Sequence, residues 1–324
     1  MVSNARPHRQ ILRTVFPGVI APQAIPAGGR SGAAVWGKAG LETVDSLIVK
    51  VTTDTGVVGW GESFGFTAIP AVKVVIDSIL APEMIGRDAT QLEKRMLDLQ
   101  KKFHVFGRSG AFIYGLSAID IALWDIAGRV VGQPVHQLLG GSEAVSLPAY
   151  ASLIRYSDPE LVRENSDVRW IAAFGISSCM RSISTVSVRR AKRPGMTSRW
   201  PPENYSGLAQ VRQQGGNPVA AGENASTLTD FQHLLEAGAV DFIQPSSAKM
   251  GGLTELRKVF ALANAHNVTV MVHSFYDGPG PLANVHASAA LGGPGAMVEW
   301  RYFDREAQLY GEAIIPKNGT MAVP

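Results

Sequence analysis

Hydrophobic positions in the first third of the chain follow both strand and helix patterns. Residues 41–62 place strand-forming residues on both sides of the turn sequence Asp54-Thr-Gly56, which predicts a β-hairpin. Residues 90–103 repeat their apolar side chains with a helical period, and Thr90 is the predicted N-cap. Residues 111–131 are apolar around much of the helix circumference, which predicts a buried helix. This third of the chain should therefore form an α+β layer of its own.

The pattern changes near Leu147, where short apolar runs begin to alternate with helical repeats. Residues 147–152 predict a strand, and a helix is expected from about Pro159 to Ala172. After position 218 the alternation is regular, and helices are predicted at 228–237, 253–266 and 281–291. Strands that alternate with returning helices are typical of parallel α/β architecture, here a (β/α) barrel.

Four polar residues stand at the ends of the short apolar runs in the second half of the chain: Glu223, Ser246, His273 and Glu299. Their intervals of 23, 27 and 26 residues each match one strand with its returning helix. In a barrel of parallel strands, residues at the carboxyl ends of the strands line one pocket. Two carboxylates and a histidine in such a pocket suit metal-assisted proton transfer.

Composition narrows the class of protein. The chain has 324 residues, of which 46% are hydrophobic and 18% charged, as in ordinary globular proteins. We expect neither a signal peptide nor a membrane span, because no apolar run approaches the roughly 20 residues that a span requires. The single cysteine, Cys179, excludes an internal disulfide and favours a cytoplasmic location.

The net charge of +3 has a local origin. Six basic residues and no acidic residue lie in the segment 176–200, and without them the net charge would be −3. This segment could contact phosphate backbones, but it contains no recognisable binding motif and has no aromatic residue before Trp200. We therefore predict no nucleic-acid partner and interpret the segment as a solvated insert.

The run from Ala118 to Gly141 resembles the signature of the enolase superfamily, in the mandelate racemase/muconate lactonizing enzyme subgroup. Two further stretches are similar to the same family, Gly61-Glu62 after the hairpin and Lys249-Met-Gly-Gly252 after the sixth barrel strand. The resemblance implies an α+β capping domain at 1–135, completed by the tail 303–324, over a modified TIM-type (β/α) barrel at 136–302. Members of this family abstract the proton α to a carboxylate with the help of Mg²⁺.

The resemblance also implies roles for single residues. Glu223 matches the metal ligand of the fifth barrel strand, His273 the acid/base residue of the seventh, and Glu299 the carboxyl group of the eighth that hydrogen-bonds the substrate. Ser246 stands where many relatives carry an aspartate that orients the histidine. Ser246 and Lys249 are the candidate substrate contacts, and the structural interpretation of Lys249 is favoured over the functional one. The expected substrate is a small carboxylate such as an acid sugar, and the chain is expected to form a homo-oligomer. Five other histidines are predicted to lie on the surface or on helices: His104, His136, His233, His266 and His286.

The chain is short for a complete barrel of this type. Fewer than 50 residues separate Ser152 from Trp200, whereas three strand–helix units would need roughly 75. The anomalous segment 176–199 has neither strand nor helix periodicity, and no counterparts of the second-strand bases or of two of the three metal ligands are found. We hypothesise a local frameshift, which a resequenced gene with no family-like alternative frame would contradict. Two functions remain open: an acid-sugar dehydratase or racemase, or a non-catalytic relic that only binds or oligomerises.

Overall fold

A computed structural model describes residues 12–24, 43–142, 146–152, 201–215, 218–301 and 309–324. The N-terminal unit contains a three-stranded antiparallel sheet of β1 (Leu12–Ala24), β2 (Thr43–Thr53) and β3 (Val58–Ser63), in that order. Strands β2 and β3 pair from Thr52 and Val58 outward, and Gly56 adopts a φ of 84° in the turn between them. The predicted hairpin is therefore confirmed.

Helices cover one face of this sheet. They are α1 (Ile69–Val75), α2 (Ala81–Met84), α3 (Leu92–Lys102), α4 (Ala111–Val131) and α5 (Val135–Leu138). The bounds of α4 agree with the sequence prediction. Thr90 is not the N-cap of α3, which begins two residues later. Instead Asp88 accepts hydrogen bonds from the Thr90 N–H at 3.0 Å and the Thr90 hydroxyl at 2.8 Å, capping the short 3₁₀ turn that precedes the helix.

Two glycines allow α4 to lie directly on β3. Gly59 and Gly61 are two positions apart and so present the same face of the strand to the helix. A Cβ atom at Gly61 would lie 1.8 Å from the carbonyl oxygen of Ala118, and one at Gly59 would lie 2.1 Å from that of Ala122. The opposite face of β3 carries Trp60 and Glu62. The glycines are therefore required for close approach of two backbones rather than for a turn.

The second sheet has the order β5-β6-β7-β8-β4-β9. Its strands are β4 (Ser146–Ser152), β5 (Ala220–Ala221), β6 (Phe242–Ile243), β7 (Thr269–Val272), β8 (Met297–Arg301) and β9 (Thr320–Ala322). All neighbouring pairs are parallel except β4 and β9. The first strand of this unit, β4, lies beside the last parallel strand, β8, as barrel closure requires.

Helices alternate with these strands, as the sequence predicts. They are α6 (Tyr205–Gly215), α7 (Leu228–Glu236), α8 (Leu253–Ala265) and α9 (Pro279–Leu291). Helix α7 begins with a capping box in which the side chains of Thr227 and Asp230 accept from each other's backbone N–H groups. The predicted helix at 159–172, the segment 176–199, Cys179 and any strands between β4 and α6 lie outside the described residues.

The C-terminal tail packs on the barrel side of the molecule. Met321 pairs with Leu147 in the β4–β9 ladder, and Ile314 and Met321 belong to the same hydrophobic core as the barrel helices. The predicted domain boundaries, including completion of the cap by the tail, stay predictions.

Capping unit and barrel meet along contacts that we call the cap–barrel seam: Glu62, Ser117 and Asp120 from the cap, with backbone segments 251–254 and 277–280 from the barrel. Glu62 is 1% exposed and accepts hydrogen bonds from the N–H groups of Asp277, Gly278 and Gly280 at 2.9–3.2 Å. Asp120 accepts from the Thr254 N–H at 3.1 Å, and the Ser117 hydroxyl accepts from the Gly251 N–H at 2.8 Å. The signature stretches of the sequence therefore meet each other across this seam.

Helix α4 is the one described helix long and apolar enough to cross a membrane. In this fold 72% of its most apolar window is buried, and it packs between the cap sheet and the barrel. Its hydrophobicity is accounted for by its place in the core.

Candidate active site

The carboxyl ends of β5, β6, β7 and β8 carry the four residues singled out by their spacing. Glu223 follows β5 by two residues, Ser246 follows β6 by three, His273 directly follows β7, and Glu299 lies within β8. Gly222 has a φ of 116°, a left-handed conformation that a side chain would disfavour, and it turns the chain just before Glu223. The four residues lie at the same end of the parallel sheet.

His273 and Glu223 face each other directly. Nε2 of His273 lies 3.6 Å from Oε2 of Glu223, close enough for an ion pair when the ring is protonated. The backbone of His273 is fixed on both sides, because its N–H donates to the Pro245 carbonyl at 2.8 Å and its own carbonyl accepts from Asn284 Nδ2 at 2.9 Å. The histidine is 8% exposed. Its position is set by two neighbouring elements rather than by its own loop.

Ser246 reaches His273 through Tyr276, a residue that the sequence patterns did not single out. The Tyr276 hydroxyl lies 3.4 Å from Nδ1 of His273 and forms a short hydrogen bond with the Ser246 hydroxyl. Burial raises the pKa of Tyr276 well above its ordinary value, so this hydroxyl keeps its proton. A neutral hydroxyl pair therefore stands where many family members carry a carboxylate.

The carboxylate of Glu299 on β8 is held by the backbone of the loop after β7. Its carboxylate accepts a short hydrogen bond from the Ser274 N–H, and the residue is 6% exposed. Tyr150 on β4 lies nearby: its hydroxyl donates to the Val272 carbonyl at 3.1 Å and lies 3.4 Å from Gln244 Nε2. Burial raises the pKa of Tyr150 well above its ordinary value, and the negative charge of Glu299 raises it further. Tyr150 and Gln244 are thus two more polar residues of the site that spacing alone did not reveal.

Lys249 lies at the edge of this cluster and is 3% exposed. Its ammonium group donates to Asn224 Oδ1 at 2.7 Å and lies 4.4 Å from the centre of the Phe64 ring. It therefore joins the loop after β5 to the loop after β6 and to the cap, through a hydrogen bond and a cation–π contact. This geometry favours the structural alternative for Lys249, and its contact with substrate stays a prediction.

Aromatic rings from the cap and from the loop after His273 cover the cluster. Phe64 lies edge-on to Tyr276 with ring centres 6.0 Å apart, and Phe66 lies edge-on to Phe275 at 6.1 Å. Tyr114 of α4 contacts Phe64 at 5.1 Å. Edge-to-face packing of this kind fixes the positions of the rings.

The described residues do not supply a Mg²⁺ site. Mg²⁺ requires several oxygen ligands in a near-octahedral arrangement, and no group of three His, Cys, Asp or Glu side chains in the described ranges could hold a metal ion. Glu223 is accompanied there by a histidine, whereas Glu299 is bonded to a backbone N–H. The expected metal role of Glu223 therefore stays a prediction, and no reaction step is derived through a metal.

Two family models match this chain. The model described as mandelate racemase/muconate lactonizing enzyme, N-terminal domain, matches residues 38–140, and the one described as enolase C-terminal domain-like matches residues 200–324. Together they cover the cap from β2 onward and the barrel from α6 onward.

Relatives of known activity are distant but extend over most of the chain. Arabinonate dehydratase of Saccharolobus solfataricus is 26% identical, over 87% of this chain and 86% of its own length. D-galactarolactone cycloisomerase of Agrobacterium fabrum is 29% identical, with 86% of each chain covered. Among solved structures, the 3,6-anhydro-D-galactonate cycloisomerase of Zobellia galactanivorans has a TM-score of 0.73 at 26% identity, covering 97% of this chain and 94% of that one. A mandelate racemase/muconate lactonizing protein of Paracoccus denitrificans, crystallised with magnesium, has a TM-score of 0.71 at 23% identity, covering 97% and 93%.

The alignment lengths show a gap in this chain. The alignment with arabinonate dehydratase extends over 322 residues, yet 87% of this 324-residue chain is only about 282 residues. Roughly 40 aligned positions of that relative therefore have no counterpart here. The shortfall of roughly 25 residues or more expected between Ser152 and Trp200 lies within residues 141–199, which neither family model covers.

Proposed function

Because this chain belongs to the mandelate racemase/muconate lactonizing enzyme subgroup of the enolase superfamily, we propose that it abstracts the proton α to the carboxylate of an acid sugar and that dehydration follows. Three relatives named for acid-sugar chemistry, a dehydratase and two cycloisomerases, support this substrate class. His273 is the proposed base. Glu299 is the proposed contact for the substrate, with Ser246 supporting the histidine through Tyr276.

The observation that carries the proposal is the environment of the two ring nitrogens of His273. A base at Nε2 requires a free electron pair there, so the proton of the neutral ring must be on Nδ1. The Tyr276 hydroxyl, 3.4 Å from Nδ1, accepts a hydrogen bond from that N–H and donates its own O–H to the Ser246 hydroxyl. When Nε2 takes up the substrate proton, the Glu223 carboxylate at 3.6 Å stabilises the resulting positive ring.

Dehydration removes one proton from C2 and one hydroxyl group from C3 of the substrate. Nε2 of His273 takes the proton from C2, the C2–H electron pair forms the C2–C3 double bond, and the hydroxyl group leaves C3 as water with the proton that Nε2 returns. The enol that remains tautomerises to a 2-keto-3-deoxy acid. Dehydration needs one base on one face of the substrate, whereas racemisation needs a second base on the opposite face. Because His273 is the single base proposed here, dehydration is favoured over racemisation.

The test is a proton-exchange and product assay on the full chain with about 5–10 mM MgCl₂, using arabinonate and galactarate as probes. Solvent deuterium at C2, or a 2-keto-3-deoxy product detected by NMR, is the expected result. His273→Asn should lower the rate by about 100-fold or more, since general-base catalysis contributes this much. His233→Asn, a histidine on α7 outside the cluster, is the matched control and should leave the rate unchanged.

The second candidate is a non-catalytic member of the family, and the incomplete set of carboxylate ligands among the described residues favours it. It predicts no exchange with either probe and a thermal transition that MgCl₂ does not shift. A folded chain with that behaviour would overturn the dehydratase proposal. A rate that His273→Asn leaves unchanged would instead reject His273 as the base.

A further inference from the structure

A cavity of about 570 Å³ lies between β3 and the C-terminal half of α4 in the cap, helices α8 and α9 of the barrel, and the tail. None of the strand-end residues Glu223, Ser246, His273 and Glu299 lines it. Its volume falls within the range of pockets that bind small organic molecules. The cavity is therefore large enough for a ligand and separate from the candidate active site.

Most of the cavity wall is apolar. Trp60 forms part of the wall from the cap sheet, Ala283 from α9, and Leu309 and Tyr310 from the tail. Trp60 is 40% exposed and Leu309 is 51% exposed, so both present apolar surface that nothing in the described ranges covers. An apolar pocket of this kind favours a ligand with a ring or branched hydrocarbon body.

A cationic group also lines the cavity. Arg129 near the end of α4 donates through Nε to Asp125 Oδ1 at 2.9 Å, and Asp125 Oδ2 accepts from the Trp60 N–H at 2.9 Å. Asp125 is thus engaged on both oxygens, while the terminal nitrogens of Arg129 have no hydrogen-bond partner among the described residues. A guanidinium with free terminal nitrogens is suited to a planar carboxylate.

A buried pair of histidines adds a second donor. Nδ1 of His136 lies 3.2 Å from Nδ1 of His286, and the ring planes differ by 8°. The ring centres are 5.4 Å apart, which is close to the nitrogen separation plus the two ring radii, so the rings meet edge to edge in an N–H···N bond. Both histidines lie on helices, as predicted, but His136 is 4% exposed, and the sequence did not indicate that the two rings meet because they are 150 residues apart.

The surroundings of the two rings indicate which histidine donates the hydrogen bond between them. Burial and then the neighbouring His136 lower the pKa of His286 to about 4, so its ring is neutral and carries one N–H. Nε2 of His136 is buried and has no partner in the described part of the chain. An unpaired buried acceptor is less unfavourable than an unpaired N–H donor, so His136 donates from Nδ1 and the proton of His286 is on Nε2. His286 lines the cavity and offers that N–H to a ligand.

We propose that this cavity binds a small apolar carboxylate, with its hydrocarbon body against Trp60 and Tyr310 and its carboxylate at Arg129. The site would contact cap, barrel and tail at once, so an occupant would hold the three together. It is independent of the proton-transfer function proposed above, because it shares no residue with that site.

Binding can be measured by isothermal titration of the full chain with 2-naphthoate, and with 2-naphthol as the uncharged analogue. We expect one saturable site for naphthoate with a Kd of about 10–100 μM, a typical affinity for a small ligand held by one charge contact and an apolar wall. Ala283→Leu, which fills the wall of the cavity, should weaken binding of both compounds more than tenfold. Arg129→Gln should weaken naphthoate about tenfold and leave 2-naphthol unchanged.

Arg87→Gln is the matched control, since Arg87 is an exposed arginine of the cap that donates to a backbone carbonyl away from the cavity. Leu309→Glu serves where Ala283→Leu fails to fold, because it places a carboxylate beside the ligand anion without adding buried volume. Absence of saturable binding would overturn the proposal, as would equal effects of Arg129→Gln and Arg87→Gln. A dimer that dissociates in Leu309→Glu, measured by sedimentation, with no naphthoate binding in the parent chain, would show that a second copy covers the cavity instead.

Discussion

The cap–barrel seam and the strand-end cluster both depend on acidic side chains, but they use them in opposite ways. At the seam, Glu62 and Asp120 are fully buried and accept hydrogen bonds from backbone N–H groups of the barrel. At the strand ends, the carboxylate of Glu223 is 32% exposed and faces the ring of His273. The seam carboxylates thus contact the barrel backbone, whereas the strand-end carboxylate of Glu223 is partly exposed and contacts a histidine ring.

Because of this difference, we expect substitutions in the cap–barrel seam and in the strand-end cluster to have different effects. Glu62 and the stretch 249–252 hold the cap on the barrel, and Gly59 and Gly61 pack β3 against α4 within the cap. Substitution there should affect stability. Substitution of Glu223, whose side chain is 32% exposed, should have little effect on stability, since exposed charged groups contribute little to folding.

The largest effect is expected for Gly61→Ala at the contact between β3 and α4. The new Cβ atom would lie 1.8 Å from a backbone carbonyl of α4, and neither backbone can move without disrupting the cap core. We expect a loss of about 4 kcal/mol in the free energy of unfolding, or no cooperative urea transition. Gly215→Ala is the control, because no atom lies within 4 Å of its added Cβ, and it should be neutral or stabilising. Equal stability of the two variants would reject the packing argument.

The next effect concerns the pH dependence of the seam. Burial, and then the charge of Asp277, raise the pKa of Glu62 from 4.5 to about 7, while burial raises that of Asp120 from 3.8 to about 7. Between these values the folded protein binds protons more tightly than the unfolded chain. Stability is therefore greatest below about pH 4.5 for Glu62 and decreases as the pH rises through 7.

Each carboxyl group should account for a decrease on the order of 2–3 kcal/mol across this window, measured by urea unfolding from pH 4.5 to 8. Glu62→Gln should remove about half of the pH dependence of the free energy of unfolding and leave the part that is due to Asp120. Glu83→Gln, in an ion pair of the cap with Lys102, is the control and should preserve the slope. A stability profile that rises with pH in the parent chain would contradict the proposed states of both groups.

A smaller effect is expected for Tyr276→Phe at the strand-end cluster. The ring and its contacts with Phe64 remain, but Ser246 and Nδ1 of His273 lose a hydrogen-bond partner. The expected loss of stability is about 1–2 kcal/mol. The variant should also increase the fraction of His273 that carries its proton on Nε2, which ¹⁵N NMR of the ring detects.

Tyr114→Phe is the matched control for this variant, because Tyr114 contacts the same Phe64 ring without a bond to His273. It should leave the tautomer ratio of His273 unchanged. If Tyr276→Phe also leaves that ratio unchanged, the hydroxyl does not orient the histidine, and its role is confined to packing.

The smallest effect on stability is expected for Glu223→Gln. The side chain is partly exposed, and its contact with His273 is an ion pair only when the ring is protonated. A change within about 1 kcal/mol is expected in urea unfolding at pH 7.5. Glu236→Gln, on the exposed side of α7, is the control. A loss above about 2 kcal/mol from Glu223→Gln would place this residue with the seam rather than with the chemistry.

The sequence predicted the described elements well wherever the pattern was local. The hairpin, α4, α7, α8 and α9 were expected within two residues of their observed bounds, because each has a period that its own side chains display. Spacing also predicted that Glu223 and His273 would share one end of the sheet. It missed Asp88 as the cap before α3, because two candidate capping residues, Asp88 and Thr90, lie two positions apart there.

The partners of the site residues could not be predicted in this way. Tyr276 is three residues beyond His273 and Ser246 is 27 residues before it, and nothing in their spacing indicates that the hydroxyls meet. Tyr150 and His136 reach partners more than 90 residues away. Such contacts depend on how the strands are arranged in the sheet, which local periodicity does not encode.

By itself, the sequence determined the order of strands and helices, the family, and the positions of the strand-end residues, since these follow from local periods and from recognisable motifs. Only the tertiary structure decided that Glu62 binds backbone groups 215–218 residues away, that Tyr276 rather than a carboxylate meets His273, and that a cavity separates Trp60 from α9. The physical reason is that hydrogen bonds and packing act over a few ångströms in space. The residues that they join are brought together only when the cap is seated on the barrel.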